Sequence, residues 1–566
     1  MTNETTDRHT TETDGGAVLF GSLIDRRVFL RMGGAAAATA VLAACGSSAK
    51  AAGGSATANS ASATSVAGTA ARGGAAAAAP SGTITATSAF TLSGGFDPMN
   101  ASSAVATAVN AHVFEGLVNL DPITSKPYLA LAASEPTVSA DGLTWTVPLR
   151  QGATFSDGTA VTADDVAWSF TRVLNPANNA LIAGFISFID TVTAVDAQTV
   201  QFKLNTPFSL FAQRIAVVPV VPQSKTATSA AASAFNNAPI GSGPFTVQSA
   251  NSTSGVVMGV NSHYKGSKPA LVKSIDYRTT PDNSARLNDL LSGSSQAIEE
   301  VPYLDVSNAN ASPDHVDGRQ GFNCLFLMFN CSAAPFNDKR VRQALFYAID
   351  TTKVIQTALQ GYATAATCYL NEGNAAYQRA ATVYTYDPNK ARSLLSAAGV
   401  SNLSFELVTT NTGFVADCAP VIIDSWKQAG INATLNTSPT SAVYGTIVPA
   451  PSFRVLAASG DPSVFGPDAD LLLRWFYYGK TWPQERERWT DAAAQQCASL
   501  IDQAAQANGA TQTALWKQIF DLVADEVPLY PLFHSKTLTG YNPSQLVNFQ
   551  GAATTGMYFL DVARKG

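Results

Sequence analysis

The 566-residue chain is poor in the residues that carry most enzyme chemistry. It has five histidines and six cysteines, and Asp, Glu, Lys and Arg together make up only 13%. With no C-x-x-C pair, and only His112, His263, His315 and His534 beyond the N-terminal region, the usual zinc frameworks have no basis and no metal is expected. G-x-S-x-G, H-E-x-x-H and a phosphate-binding Gly-Lys loop are missing too, so the common hydrolase and nucleotide-binding classes lack support and no cofactor is expected. A formal net charge of −6 argues against nucleic acid as a partner. No apolar run approaches the roughly 20 residues that cross a bilayer. What the chain does have is 46% hydrophobic residues, enough for large cores. At about 150 residues per domain, its length allows roughly three folding units.

The N-terminal region has an order of its own. Arg26 and Arg27 precede an apolar run, Met32–Ala44, which is followed by small residues. Charge, short apolar run and small-residue site form the layout of a secretory signal. "DRRVFLR" (Asp25–Arg31) resembles the twin-arginine export motif. Leu42-Ala43-Ala44-Cys45 resembles a bacterial lipobox, in which Cys45 is lipidated and becomes the new N-terminus. The alternative is an alanine-rich core helix behind two arginines. Residues 46–82 are almost all Ala, Gly, Ser and Thr, which bury too little apolar surface to offset chain entropy. The expectation is a signal (1–45), a disordered tether (46–82) and a body held outside the cytoplasm, anchored to the cell membrane through Cys45 at the surface or in the periplasm. In that compartment Cys324, Cys331, Cys368, Cys418 and Cys497 suggest up to two disulfides. Cys331–Cys368 is the first candidate, because both flank "KRVRQALFYAI".

Along the body, "TITAT" (Thr83–Thr87) alternates like a first strand, and Ser103–Leu120 has helical spacing before turning extended. "GLTWTVPLRQGATF" alternates behind an Asp141-Gly142 hairpin signal. "TADDVAWSFTRVL" starts a helix at Thr162 in the capping-box manner, with Asp165 three residues on. "LFLMFN" suits a buried strand, and "NDKRVRQALFYAI" a helix capped by Asn337 or Asp338. "DPNKARSLLSAAG" is a helix with Asp387 as N-cap, Pro388 at its first position and Gly399 as its stop. "FELVTT", "DCAPVIIDSWKQAG" and "INATLNT" then give strand, helix and strand over short connections, the pattern of an α/β domain.

These segments, in this order, resemble the extracellular solute-binding proteins of ABC importers, specifically the peptide/nickel-binding family of oligopeptide- and dipeptide-binding lipoproteins. The resemblance is carried by "FEGLVNLDPITSKPYLALAASEPTVSADGLTWTVPLRQGATFSDGTAVTADDVAWSFTRVLNP", "PIGSGPF", "RTTPDNSARLNDLLSGSSQAIEEVP", "FNCSAAPFNDKRVRQALFYAID" and "YDPNKARSLLSAAG". It runs from about residue 83 to the C-terminus. It implies an α/β, two-lobe periplasmic-binding-protein-like fold (type II, large peptide-binding class) with an extra inserted subdomain. Lobe I would comprise 83–120, 236–320 and 527–566, the inserted subdomain 121–235 and lobe II 321–526. The ligand would lie between the lobes, which close by hinge motion. The implied protein is not an enzyme but a monomeric receptor. It captures a small solute, by default a peptide, and delivers it to the transmembrane subunits of an ABC permease. Opines, sugars, haem and chelated metal remain open as solutes. The alternatives are an extracellular hydrolase, or a peptide-sensing or chaperone-like lipoprotein without a permease.

Much of the resemblance is scaffold. Gly116, Asp157-Gly158 and Gly241-Ser242-Gly243-Pro244 are expected in turns, and Arg340 and Arg342 in structural ion pairs. For the site, the family's W-x-x-D-Y-x-[DE]-P stretch corresponds to "SFRVLAASGDPSVFGPDADLLLRWFYYG". Aligned on Gly466-Pro467, the tryptophan falls on Gly460 and the aspartate on Ser463, with Asp461 the nearest carboxylate. Asp461 either binds a ligand amine or simply starts a turn with Pro462. Asp468 and Asp470 fit as caps of the next helix, and most of the cluster Phe465, Trp475, Phe476, Tyr477 and Tyr478 as core. In "FDPMNASS", Asn100, Ser102 and Ser103 are either polar contacts to ligand or, for the serines, a helix N-cap. The expected ligand set is Asn100, Ser102, Ser103, Gly460, Asp461, Ser463 and Phe465. His534 reads as structural, and the adjacent acids Asp164-Asp165 and Glu299-Glu300 as solvated or capping groups.

Overall fold

A computed structural model describes residues 79–101, 103–411 and 413–565. Arg26, Arg27, Cys45, nearly all of the expected tether, and Ser102 lie outside the described residues. Among the described residues, an eleven-stranded mixed sheet runs through the molecule. In one half, Thr83–Ser88 is flanked in parallel by Ser274–Thr279 and Ala297–Ile298, with the hairpin Phe245–Asn251/Gly255–Val260 outside them. In the other, Ser404–Thr410 is flanked in parallel by Asn432–Ser438 and Val455–Gly460. Helices cross between these parallel strands, as parallel connections require.

Two long antiparallel strands, His315–Phe329 and Leu529–Tyr541, belong to both halves. Residues 315–320 pair with 536–541 in the first half, and 324–328 with 529–534 in the second. The register shifts between Gln320 and Cys324, where the ribbon passes from one lobe to the other. A second shift falls where Phe326 meets Pro531, because proline has no N–H to give the ladder. The result is a two-lobe α/β fold with the lobes joined by this ribbon.

A separate four-stranded antiparallel sheet, in the spatial order Thr137–Val138, Thr144–Pro148, Thr199–Leu204 and Ile189–Asp196, lies within 121–235. The helix Ala163–Leu174 packs on it, and Trp145 stacks on Phe211 at 4.3 Å. One apolar cluster extends from this sheet into the second lobe, and another fills the first lobe around Ile84, Val109, Ile275 and Phe559.

Local chemistry places the elements where the sequence patterns put them. Thr162 and Asp165 form a reciprocal capping box. Asp338 caps Lys339–Tyr347, and Asp387 caps Pro388–Ala397 with Pro388 in the first turn. Arg340 pairs with Asp338 at 2.6 Å, and Arg342 reaches Glu526 at 3.4 Å. Gly241 is required by a close approach: a Cβ there would lie 2.0 Å from the Val113 carbonyl oxygen.

The expected disulfide is a correction. All five described cysteines are free, including Cys331 and Cys368. Cys331 sits just past the strand His315–Phe329 with Sγ on the Phe329 carbonyl, while Cys368 is buried beside Tyr369 and Leu370. Burial pushes the Cys331 and Cys418 thiols up to about 12 and Cys368 to about 11, so they remain thiols rather than reactive thiolates. Among the described residues no helix is long and apolar enough to cross a membrane.

Candidate functional site

The carboxyl ends of parallel strands are where open α/β sheets present their ligand crevice. Here Ile298 ends one such strand in the first lobe and Gly460 one in the second, and both lead toward the lobe-crossing ribbon. Gly460 pairs with Cys324, and a Cβ at Gly460 would sit 2.9 Å from the Phe476 ring. Close packing therefore demands glycine there and fixes the residue that follows.

That residue is Asp461. It caps the short 3-10 turn Pro462–Phe465, with Oδ1 accepting the Ser463 N–H at 3.2 Å and a short hydrogen bond from the Ser463 hydroxyl. Its other oxygen, Oδ2, accepts the Thr554 hydroxyl at 3.1 Å. Thr554 belongs to the C-terminal segment, which packs on the first lobe through Thr537 and the Ala552 carbonyl. Asp461 is thus both a turn-former and a contact between lobes. Burial raises its pKa, against hydrogen bonds from Ser463, Thr554 and the Thr555 amide.

Two acids follow Ile298 at the corresponding strand end of the first lobe. The expectation that Glu299 and Glu300 are solvated or capping is corrected: Glu299 is only 4% exposed, and Glu300 is half-buried. Glu299 Oε2 accepts hydrogen bonds from Ser88 at 2.7 Å and Tyr277 at 3.4 Å. Burial pushes Glu299 up to about 7, opposed by the Ser88 hydrogen bond and the Gly556 amide. Glu300 is also raised by burial, against the nearby Arg286 and with the Asp461 charge adding to it. Arg286 lies behind the backbone, donating to the carbonyls of Glu299, Glu300, Thr280 and Pro281 and to Asn283 Oδ1.

One turn serves both Asp461 and Glu299. Thr554 and the Thr555 amide serve Asp461, and the Gly556 amide serves Glu299. Tyr558, just beyond, feels both carboxylates. Asp461 and Glu299 thus share one turn, and no described group of three or more His, Cys, Asp or Glu side chains is spaced to share a metal ion.

The other expected residues divide. Ser463 stays with Asp461. Phe465 lies against Phe185 and Trp475, at ring distances of 5.5 and 5.7 Å, whereas Phe476 and Tyr477 are core. Ser103 is the N-cap of Ala104–Val113, and Asn100 Oδ1 accepts the Leu181 N–H. Asp468 caps Ala469–Tyr477 and also pairs with Arg214 at 2.6 Å. His534 is buried, with Nδ1 on the Phe322 carbonyl, and lines a cavity of about 180 Å³ with Gln320, Thr364, Glu372 and Lys536. Sequence patterns do not single out Glu299, Glu300 or Thr554. The available signal was position, two acids directly beyond a strand's carboxyl end.

Residues 126–483, more than half of the chain, match the bacterial extracellular solute-binding proteins, family 5 (middle region). The glutathione-binding protein GsiB of Shigella flexneri is 29% identical over 469 residues, covering 79% of this chain and 89% of that protein. Two solved structures share the fold. A dipeptide-binding protein from Pseudoalteromonas sp. SM9913, in complex with Met-Leu, has a TM-score of 0.75 at 18% identity, covering 86% of this chain and 100% of that one. The periplasmic binding protein DppA from Helicobacter pylori, in complex with the peptide STSA, has a TM-score of 0.76 at 20% identity, covering 86% and 98%. With its two lobes, the parallel strands in each of them and this match, the chain belongs to the family-5 bacterial extracellular solute-binding proteins.

Proposed function

We propose that this protein is the receptor of an ABC importer, anchored to the membrane by a lipid on Cys45, that captures a small peptide between its lobes and hands it to a permease. Lobe I comprises 83–120, 236–320 and 527–566 with its insert 121–235, and lobe II comprises 321–526. The observation that carries the reading is Asp461, a carboxylate at the lobe junction held by Ser463 and Thr554 with no basic side chain paired to it among the described ion pairs. A peptide brings the missing charge as its terminal ammonium. Relatives that bind glutathione, Met-Leu and STSA support a peptide as the solute. Phe465 forms an apolar wall beside the carboxylate, and ordered water fills what a short peptide leaves.

Calorimetry with short peptides, free and N-acetylated, tests the reading. Asp461→Asn keeps the shape and removes the charge. It should weaken binding of the free peptides by about 1.5–3 kcal/mol, the worth of a charged hydrogen bond, and leave the acetylated ones alone. Equal affinity for both peptide forms, unchanged in the variant, would shift the reading to a solute without a charged amine.

A further inference from the structure

We propose that the cavity on the lobe-crossing ribbon is a second, smaller ligand site, and that it takes a zwitterion the size of one free α-amino acid, with its ammonium on Glu372 and its carboxylate on Lys536 and Asn371. This inference goes beyond the receptor reading and does not depend on it.

The cavity, of about 180 Å³, lies at the crossing itself. Gln320 and Lys536 form the last pair of the first-lobe ladder, and His534 faces Cys324 where the second-lobe ladder begins. The strand Ala363–Ala365 runs alongside, with Thr364 opposite His534. Cross-strand partners and alternate residues share a face, so Gln320, Lys536, His534 and Thr364 all point the same way. The loop that follows Ala365 completes the lining with Thr367, Leu370, Asn371 and Glu372. Asp461, Ser463 and Phe465 take no part in it.

The polar groups of this lining divide into those the protein uses and those it leaves. Gln320 Nε2 donates to the Gly321 and His534 carbonyls, both at 3.2 Å, and its Oε1 accepts the Thr364 hydroxyl at 3.0 Å. His534 is held neutral by burial, with Nδ1 on the Phe322 carbonyl. Lys536 and Glu372 are different. They line one cavity with opposite charges, yet neither forms an ion pair with the other or with any described residue. Glu372 is nevertheless positioned, its Oε1 accepting the Thr367 and Tyr377 hydroxyls at 3.3 and 3.4 Å. Asn371 is 7% exposed, and its Oδ1 accepts the Gly373 N–H at 2.9 Å. Its amide N–H groups donate to no described residue, which leaves them to whatever fills the cavity.

Charge then selects the class. A simple cation meets Lys536, a simple anion meets Glu372, and a neutral molecule leaves both unpaired. A zwitterion answers both charges at once. Size selects within the class. The cavity is well below the roughly 300–1,000 Å³ of pockets for larger ligands. It equals about six waters at roughly 30 Å³ each, room for one amino acid with a small side chain against Leu370, but not for a peptide.

Titration calorimetry of the full-length chain tests this with L-alanine, L-alaninamide, propionate and tri-alanine. Alanine should bind at least tenfold tighter than alaninamide, which lacks the carboxylate, and than propionate, which lacks the ammonium. Lys536→Gln and Glu372→Gln should each weaken alanine at least tenfold, with melting temperatures unchanged because neither charge is paired within the protein. Asp190→Asn, at an exposed position on the insert, should leave alanine binding as it is. Saturating tri-alanine should leave it within twofold. The proposal is overturned by absence of alanine binding, by equal affinity for the three small probes, by binding that either glutamine variant leaves intact, or by competition from tri-alanine. Tri-alanine binding without alanine binding overturns this site and leaves the receptor reading standing. Alanine binding that both variants weaken, with tri-alanine silent, supports the site and counts against the peptide reading.

Discussion

His112 is held neutral by its surroundings: Nδ1–H donates to the Ala108 carbonyl at 2.7 Å and Nε2 accepts the Phe559 N–H at 2.8 Å. Burial lowers its pKa to about 4, and does the same for His534. The unfolded chain takes up these protons near pH 6.5 and the folded one only near 4, so each histidine removes stability as pH falls through that window, by about 3 kcal/mol. Glu299 works in the opposite direction. Its folded pKa of about 7 lies above the ordinary 4.5, so its contribution is present at low pH and is lost as pH rises from 4.5 to 7. Glu115, pushed up to about 7 mainly by burial, acts in the same sense. The two kinds of group therefore offset each other in the wild-type protein. Glu299→Gln removes one opposing group, and the rise in unfolding free energy between pH 4.5 and 7 should steepen by about 3 kcal/mol, read from urea denaturation at several pH values. An unchanged slope would mean that Glu299 titrates like an exposed carboxylate and is ionised without ligand.

At the scale of elements, caps decide where helices begin, and they differ in how much else they hold. In the capping box of Ala163–Leu174, Thr162 Oγ1 accepts the Asp165 N–H at 3.3 Å. Asp165 Oδ2 in turn accepts the Thr162 N–H and hydroxyl, and Oδ1 takes the Gln223 N–H at 2.9 Å. Thr162→Ala should cost about 1 kcal/mol, the usual worth of a cap. Asp165→Ala should cost more, because it also frees the chain at Gln223. Chemical denaturation orders the two, and a smaller loss for Asp165→Ala would contradict this account. Such caps are legible in sequence because their chemistry is local, as are the strands whose alternation is long. What was not legible depends on distant chain. The two-residue strand Ala297–Ile298 has no periodicity of its own, so the burial of Glu299 beyond it could not be read. The free state of Cys331 and Cys368 depends on how the second lobe packs. Asp461 was found because a family motif pointed near it, whereas Thr554 lies 93 residues further on and joins it only through the fold.

At the scale of the molecule, if the lobes close over a ligand as proposed, contacts between the insert and the second lobe are made and broken. The main one is Arg214, 1% exposed, whose Nη2 reaches Asp468 at 2.6 Å and Asp470 at 2.9 Å. Arg474 holds the far side of Asp470 at 2.8 Å and extends to Asp502 at 2.9 Å. Beside this network Phe185 lies over Phe465 and Trp475, and the Ser209 N–H reaches the Ala505 carbonyl at 3.0 Å. If the lobes swing about the ribbon near Gln320 and Cys324, all of these separate and the charges are rehydrated. Arg214→Ala then acts on the closed form alone, leaving Asp468 and Asp470 buried beside a single arginine. Losing one partner of a buried pair costs about 3–5 kcal/mol, and here that cost falls on closure. Because ligand affinity scales with the population able to close, peptide binding should weaken by a factor of about 100 or more. The radius of gyration from small-angle scattering with peptide should move toward that of the unliganded protein, and Arg214→Lys should restore part of both. If Arg214→Ala instead lowers the melting temperature while leaving affinity and radius of gyration alone, the insert and second lobe form one permanent unit and the hinge lies elsewhere.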